Sequence, residues 1–253
     1  MDYASALLAL DGWQLAFVAV AAFAGSLTAG LSGMGGGMLL AVAVAPIVGI
    51  EPLVPVMTVS MLINHIARVW AFSSKTEWRP VLYVSVSALP ATALGALFYA
   101  SLPADTIALV IGVFVLLFVP VRRLTGEAAW RLSPAGFVGL GVVFGFISGT
   151  ALGAGMLIIP ALLGTGLTGA ALIGTDAVIG LLVLIVKAVV FGSLAVLSVQ
   201  WIVFGVIVGL FTVPGIFVAR WIINNTTARV HTLLIEVVLV ASGLTFVYRG
   251  LTG

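Results

Sequence analysis

Two glycine-rich stretches carry the residues with the clearest capacity for chemistry. Residues 31–38 read LSGMGGGM and residues 147–156 read ISGTALGAGM. Glycine weakens a helix interior and leaves its backbone N–H and C=O groups accessible. A helix that restarts after such a break presents free N–H groups and the positive end of its dipole, which together suit an anion. We therefore predict a non-covalent anion site built from two interrupted helices, so the chain is not expected to be an enzyme.

The candidate ligands of this anion are backbone amides and hydroxyl groups of the two stretches, with polar side chains of the helices that follow. They are Ser32, Gly35, Gly36, Gly37, Asn64, Arg68, Ser148, Thr150, Gly153, Gly155 and Thr175. Ser60, Asn64 and Arg68 are four residues apart in turn, so they share one helix face. Arg68 fits either attraction of the anion or a place at a helix end, where its side chain snorkels to the membrane surface. Close helix packing through small residues is the alternative explanation of the glycines.

Ionisable residues inside apolar segments are costly, so they are candidates for ion coupling. They are His65, Asp176, Lys187 and Glu236. Asp176 and Lys187 are about three helical turns apart and cannot touch, so each needs another partner. Asp176, near the start of its segment, suits a structural role at the helix dipole or a coupling role. Lys187 suits either a counter-charge to the anion or a snorkelling side chain. Glu236 suits either a buried ion pair or a proton carrier. His65 suits either a local hydrogen bond or proton coupling.

The composition shows which elements must position these residues. Hydrophobic residues make up 62% of the 253 residues and charged residues 7%, against roughly 25% charged residues in a soluble domain. Apolar runs of about 20 residues, the length that crosses a bilayer, recur along the chain. Residues 107–119 and 202–211 are apolar throughout, unlike the alternating strands of a membrane barrel. The predicted fold class is therefore an all-α polytopic membrane protein, without cofactor, metal or nucleic acid.

We predict about eight to ten hydrophobic segments in two related halves. Residues 1–121 form the first transmembrane repeat, residues 122–133 a charged cytoplasmic linker, and residues 134–253 the second repeat. The segments span residues 13–31, 38–50, 53–72, 80–101 and 104–121, then 135–148, 156–163, 170–191, 201–223 and 230–248.

Matching landmarks relate the two halves at an offset of about 116 to 124 residues. They pair Ser32-Gly33 with Ser148-Gly149, residues 35–39 with 153–157, Thr58 with Thr175, Trp78 with Trp201, and Pro90 with Pro214. If residues 135–163 fold back as a hairpin, the halves are inverted, as in many secondary transporters. A single crossing there gives about eight spans and parallel repeats. We favour the hairpin, because it leaves only Arg249 as an outside exception to the cytoplasmic preference of Lys and Arg.

These motifs resemble those of the TauE/SafE family of sulfite exporters and related anion transporters. The resemblance rests on SGMGGGM and SGTALGAGM, the two threonines, the KTEW and VQW turns and the two helical prolines, and it covers residues 23–251. It implies export or uptake of sulfite, sulfonates or other small organic anions in a bacterial inner membrane.

Other functions stay open at this point. Residues 30–33 match a GxSG pattern, so an intramembrane serine protease using Ser32 and His65 is the first alternative. A passive anion channel or a structural subunit is the second, since paired glycine breaks also form pores. The expected partners are a small anion and lipid, with coupling to protons and assembly into a homo-oligomer left open.

Overall fold

The computed structural model describes residues 11–33, 35–49, 52–103, 106 and 130–225. Every regular element in these ranges is helical, which confirms the all-α class. We number the helices α1 (Gly12–Ser32), α2 (Gly36–Val48), α3 (Leu53–Phe72), α4 (Trp78–Ser101), α5 (Pro134–Thr150), α6 (Gly155–Gly164), α7 (Gly169–Ser193) and α8 (Val199–Asn225).

Five of the described helices are long and apolar enough to cross a membrane. They are α1, α3, α4, α7 and α8. The other three, α2, α5 and α6, are apolar but shorter, and each lies beside one of the glycine-rich stretches. The described helices coincide with eight of the predicted segments within two residues at each end. Residues 104–121 and 230–248 lie outside the described residues except for Thr106, so the total number of segments stays a prediction.

Corresponding helices of the two halves make corresponding contacts. In the first half, α4 packs mainly on α5 and α7 of the second half. In the second half, α8 packs mainly on α1 and α3 of the first half. The two central helices, α3 and α7, pack against each other. The halves are thus interleaved in the described part of the chain, and whether they are inverted or parallel stays a prediction.

Glycines allow the closest of these contacts. Gly141, Gly145 and Gly149 recur every four residues on α5, and a Cβ atom at any of them would collide with backbone atoms of α4. Such small residues at helix contacts let two backbones approach in a membrane protein. Side-chain hydroxyls join the same pair of helices, since Ser87 Oγ donates to the carbonyl of Val138 at 2.7 Å. The α4–α5 contact therefore fixes where the second glycine-rich stretch begins.

Buried apolar side chains form two main clusters, one around each glycine-rich stretch. The first is built largely from α1, α2, α3 and α8, and the second from α4, α5, α6 and α7. Helices α3 and α7, which pack against each other, carry the buried charged residues Arg68, Asp176 and Lys187. The fold thus buries its charges where the two halves meet.

Candidate functional site

A cavity of about 130 Å³ lies between the two glycine-rich junctions and the central helices α3 and α7. Eleven of the predicted site and coupling residues line it: Gly35, Gly36, Gly37, Asn64, His65, Arg68, Ser148, Gly153, Gly155, Asp176 and Lys187. These residues come from both halves and are far apart in the sequence. The structure therefore brings both junctions to one cavity.

The first junction joins α1 to α2 through two glycines with left-handed backbone. Gly33 has φ 77° and closes α1 by donating its N–H to the carbonyl of Ala29 at 2.9 Å. Gly35 has φ 84° and precedes α2, in which the N–H of Leu39 makes a bond of 3.0 Å to the Gly35 carbonyl. Residues 36–38 lie between Gly35 and Leu39, in the first turn of α2. Their amides come before the first intrahelical bond, so the helix offers them no acceptor. No side chain caps them in the described part of the chain.

The second junction joins α5 to α6 and has a related backbone. Ala151 is extended, and Gly153 has φ 85°, close to the value of Gly35. The first turn of α6 is tightened, since the amide of Met156 donates to the Gly153 carbonyl at 3.3 Å and that of Leu157 to the Ala154 carbonyl at 2.9 Å. The N-terminus of α6, like that of α2, therefore borders the cavity.

The glycines at these junctions meet different surroundings. A Cβ atom at Gly36 would collide with the carbonyl of Gly25 on α1, so this glycine serves close helix packing. A Cβ atom at Gly37 would meet mainly the flexible end of Met61, at 3.1 Å, and one at Gly155 would meet nothing within 4 Å. Gly37 and Gly155 are thus the positions where a larger side chain would enter the cavity.

Arg68 and Asp176 form a buried ion pair that joins α3 to α7. Arg68 Nη2 lies 2.6 Å from Asp176 Oδ2, and the two side chains are 2% and 6% exposed. Arg68 Nη1 lies 3.5 Å from Nε2 of His65, whose Nδ1 lies 2.9 Å from the Met61 carbonyl. The snorkelling interpretation of Arg68 is therefore wrong, because α7 covers this side chain. Asp176 lies about two turns after the start of α7 at Gly169, and its carboxylate is paired with Arg68.

Lys187 holds the C-terminal end of α5. Its Nζ donates to the carbonyls of Ser148 at 2.8 Å and Ala151 at 3.1 Å, and it lies 5.4 Å from the centre of the Phe191 ring. A cation at a helix C-terminus satisfies carbonyls without an intrahelical partner and complements the dipole. Lys187 is 1% exposed, so the snorkelling interpretation is wrong for this residue too. The expectation that Asp176 and Lys187 have separate partners is confirmed.

Three predicted ligands have hydrogen bonds away from the cavity lining. Ser32 Oγ donates to the Thr28 carbonyl at 2.8 Å. Thr150 Oγ1 donates to the Phe146 carbonyl at 2.8 Å and lies 3.4 Å from the carbonyl of Gly95 on α4. Thr175 Oγ1 donates to the Ala171 carbonyl and accepts from the amide of Glu77 at 3.0 Å. The two threonine hydroxyls therefore join α5 to α4 and α7 to the turn before α4, and do not face the cavity.

Two further predictions from the sequence have different outcomes. Glu236 lies outside the described residues. Ser32 and His65, the pair of the protease hypothesis, have different partners, since His65 contacts Met61 and Arg68 while Ser32 contacts Thr28. This geometry gives the Ser–His dyad no support.

The sequence analysis missed the apolar part of the lining. This part is formed by four methionines and four other apolar residues. The methionines are Met38, Met57, Met61 and Met156, and the others are Phe144, Leu152, Val183 and Leu184. Methionine has a flexible and polarisable side chain that adapts to different shapes. No pattern in the sequence separates these methionines from ordinary core residues, because their common feature is the space they surround.

Comparison with known proteins gives one match. The family model described as sulfite exporter TauE/SafE matches residues 17–246, which include both junctions and all the helices that line the cavity. No curated protein and no solved structure matches the chain. The match confirms the resemblance seen in the glycine-rich motifs, and together with the five long apolar helices it indicates a multi-pass membrane protein. The chain therefore belongs to the TauE/SafE family of sulfite exporters.

Proposed function

We propose that this protein is a secondary transporter that carries a small anion, such as sulfite, a sulfonate or another small organic anion, through the cavity between its two halves. The observation that carries the proposal is the formal charge of the described lining. Arg68 and Lys187 supply two positive charges and Asp176 one negative charge, so the lining has a positive excess when His65 is neutral. Because these charged side chains are buried, their attraction for an anion is screened less than it would be in open water.

Uncharged donors support the same proposal. The first turns of α2 and α6 both begin at the cavity, and helix N-termini bind anions through free amides and the helix dipole. The Asn64 side chain, 1% exposed and part of the lining, adds an amide that can donate hydrogen bonds. These donors replace part of the hydration shell that the anion loses on entry.

The position of the lining within the helices supports a site near the membrane midplane. The lining residues of α3 run from Met57 to Arg68, and those of α7 from Asp176 to Lys187. Both ranges occupy the central turns of helices long enough to cross the bilayer. Discontinuous helices that meet at the midplane are typical of secondary transporters built from repeats. We accordingly propose two transmembrane repeats, residues 1–121 and 134–253, that alternate access around this site in a bacterial inner membrane.

The energy source in this proposal is an ion gradient or the gradient of the anion itself. The sequence contains no GxxxxGK[ST] motif for nucleotide binding. Of the candidates for ion coupling, His65, Asp176 and Lys187 line the cavity, and Glu236 is a fourth candidate. Proton coupling would make anion flux depend on an imposed proton gradient.

The test is flux into proteoliposomes of sulfite, methanesulfonate and acetate, each with and without a proton gradient. We expect saturable flux of at least one anion, and a loss of at least tenfold in the Gly155→Leu variant, whose added side chain enters open space in the cavity. The matched control is Gly139→Leu, because Gly139 is exposed on α5 and a Cβ atom there also meets nothing within 4 Å.

Two outcomes would contradict the proposal. Flux that is the same for Gly155→Leu and Gly139→Leu would remove the cavity from the transport path. Flux that rises linearly with anion concentration, without saturation or counterflow, would indicate a passive channel instead.

A further inference from the structure

We infer that Lys187, and not Arg68, is the cation that binds the transported anion, and that the Arg68–Asp176 pair is a neutral link between the halves. This inference rests on the proposed anion transport. It chooses between roles that the sequence left open, since Arg68 was a candidate ligand or a residue at a helix end, and Lys187, grouped with the coupling candidates, suited a counter-charge to the anion or snorkelling.

The charge of Arg68 is already balanced. Its Nη2 lies 2.6 Å from Asp176 Oδ2, and its Nη1 faces His65 at 3.5 Å. Its Nε is buried and has no hydrogen-bond partner in the described part of the chain. An anion at this guanidinium would lie beside the Asp176 carboxylate, and the repulsion between the two negative charges is weakly screened inside the protein.

Lys187 is in the opposite situation. It contacts the carbonyls of Ser148 and Ala151, which are neutral, and no carboxylate of the described residues lies within salt-bridge distance of it. An ammonium group has three donors, so two carbonyl bonds leave the third donor for a ligand. A buried cation without a counter-ion gains the most when an anion arrives, because the anion removes an unbalanced charge from a region of low dielectric.

The position of Lys187 also places this charge among the uncharged donors. The two carbonyls that hold it belong to Ser148, in the last turn of α5, and to Ala151, the first residue of the junction that leads to Gly153 and α6. Ser148, Gly153, Gly155 and Lys187 all line the same cavity. An anion at the N-terminal end of α6 would therefore meet the ammonium group and the amides of the second junction together.

The experiment compares two substitutions that remove charge while keeping hydrogen-bonding groups. In Lys187→Gln the amide can still donate to the end of α5, and only the positive charge is lost. In the double variant Arg68→Gln/Asp176→Asn both charges are lost, the net charge is unchanged, and the two amides can bond to each other. The control is Lys75→Gln, which removes an exposed positive charge from the turn after α3.

The measurement is the concentration dependence of sulfite and methanesulfonate flux in proteoliposomes, on protein that is monodisperse in detergent. We expect KM to rise at least tenfold or saturation to disappear in Lys187→Gln, and to change less than threefold in the double variant and in Lys75→Gln. Lys187→Arg, which keeps the charge, should recover part of the affinity. If Lys187→Gln yields no folded protein, Lys187→Met carries the same test, with anion-dependent thermal stabilisation as the readout.

Three results would overturn the inference: a KM of Lys187→Gln within threefold of the wild-type value, loss of saturable flux in the double variant alone, or loss in both variants. The first result would show that the charge of Lys187 does not bind the anion, and the other two would show that the Arg68–Asp176 pair is needed for anion binding. Absence of saturable flux in the wild-type protein is a different result, because it would contradict the proposed transport function itself.

Discussion

The two glycine-rich junctions have similar backbones but different roles for their middle residue. Gly35 and Gly153 have φ values of 84° and 85°, and the residues that follow them are Gly36 in one junction and Ala154 in the other. A Cβ atom at Gly36 would collide with the Gly25 carbonyl, whereas Ala154 carries a Cβ atom and is buried. The single difference between GGGM and GAGM therefore marks where α1 and α2 pack backbone to backbone.

The cations of the two halves differ in a comparable way. Arg68 on α3 is paired with a carboxylate across the interface between halves, and Lys187 on α7 is held by carbonyls of its own half. The two junctions thus have similar backbones, whereas the buried cations beside them have different partners.

The largest expected effect concerns the ion pair. Asp176→Asn leaves the Arg68 charge buried and unbalanced, so we expect a loss of about 3–5 kcal/mol in stability. The measurement is thermal unfolding in detergent, followed by tryptophan fluorescence. The neutral double variant Arg68→Gln/Asp176→Asn should be clearly more stable than Asp176→Asn alone. Equal unfolding temperatures for Asp176→Asn and the wild-type protein would show that the pair contributes little.

The next effect tests the middle residues of the junctions. Gly36→Ala forces α1 and α2 apart, and overpacking of this kind costs roughly 1–3 kcal/mol. The reciprocal change, Ala154→Gly, removes one buried methyl group and adds backbone freedom, so we expect a loss of about 1 kcal/mol. Thermal unfolding of the two variants measures the difference. A Gly36→Ala variant as stable as the wild-type protein would contradict the packing role that distinguishes Gly36 from Ala154.

The smallest effect concerns the glycines that face the cavity. Gly37→Ala meets the flexible end of Met61 and Gly155→Ala meets open space, so both variants should fold with wild-type stability. We expect each to change the KM for the transported anion by less than about fivefold, since one methyl group in a binding pocket is worth about 1 kcal/mol. Saturation kinetics in proteoliposomes measure this change. A fall in unfolding temperature like that of Gly36→Ala would contradict the distinction between packing and cavity-facing glycines.

Local patterns were sufficient for the helices and for part of the site. Hydropathy and glycine breaks predicted helices such as α3, whose bounds agree with the predicted 53–72, because a membrane span is set by the composition of about 20 consecutive residues. The four-residue spacing of Asn64 and Arg68 predicted a common face, and both line the cavity. The paired junctions could be found because similar glycine-rich motifs recur in the sequence itself.

Contacts between distant residues could not be predicted in the same way. Arg68 and Asp176 are 108 residues apart in the chain, and nothing in their neighbourhoods indicates that they pair. The rotation of each helix about its axis decides that Gly36 faces α1 while Gly155 faces the cavity. Thr150 and Thr175 have the residue type of a ligand but point to other helices.

The sequence by itself determined an all-helical membrane protein with duplicated glycine-rich junctions and few buried charges, because each of these properties depends on residues close together in the chain. Only the tertiary structure decided which charges neutralise each other and which glycines border empty space. The reason is that an ion pair or a cavity exists only where helices from different parts of the sequence meet, and their relative position depends on the packing of all of them together.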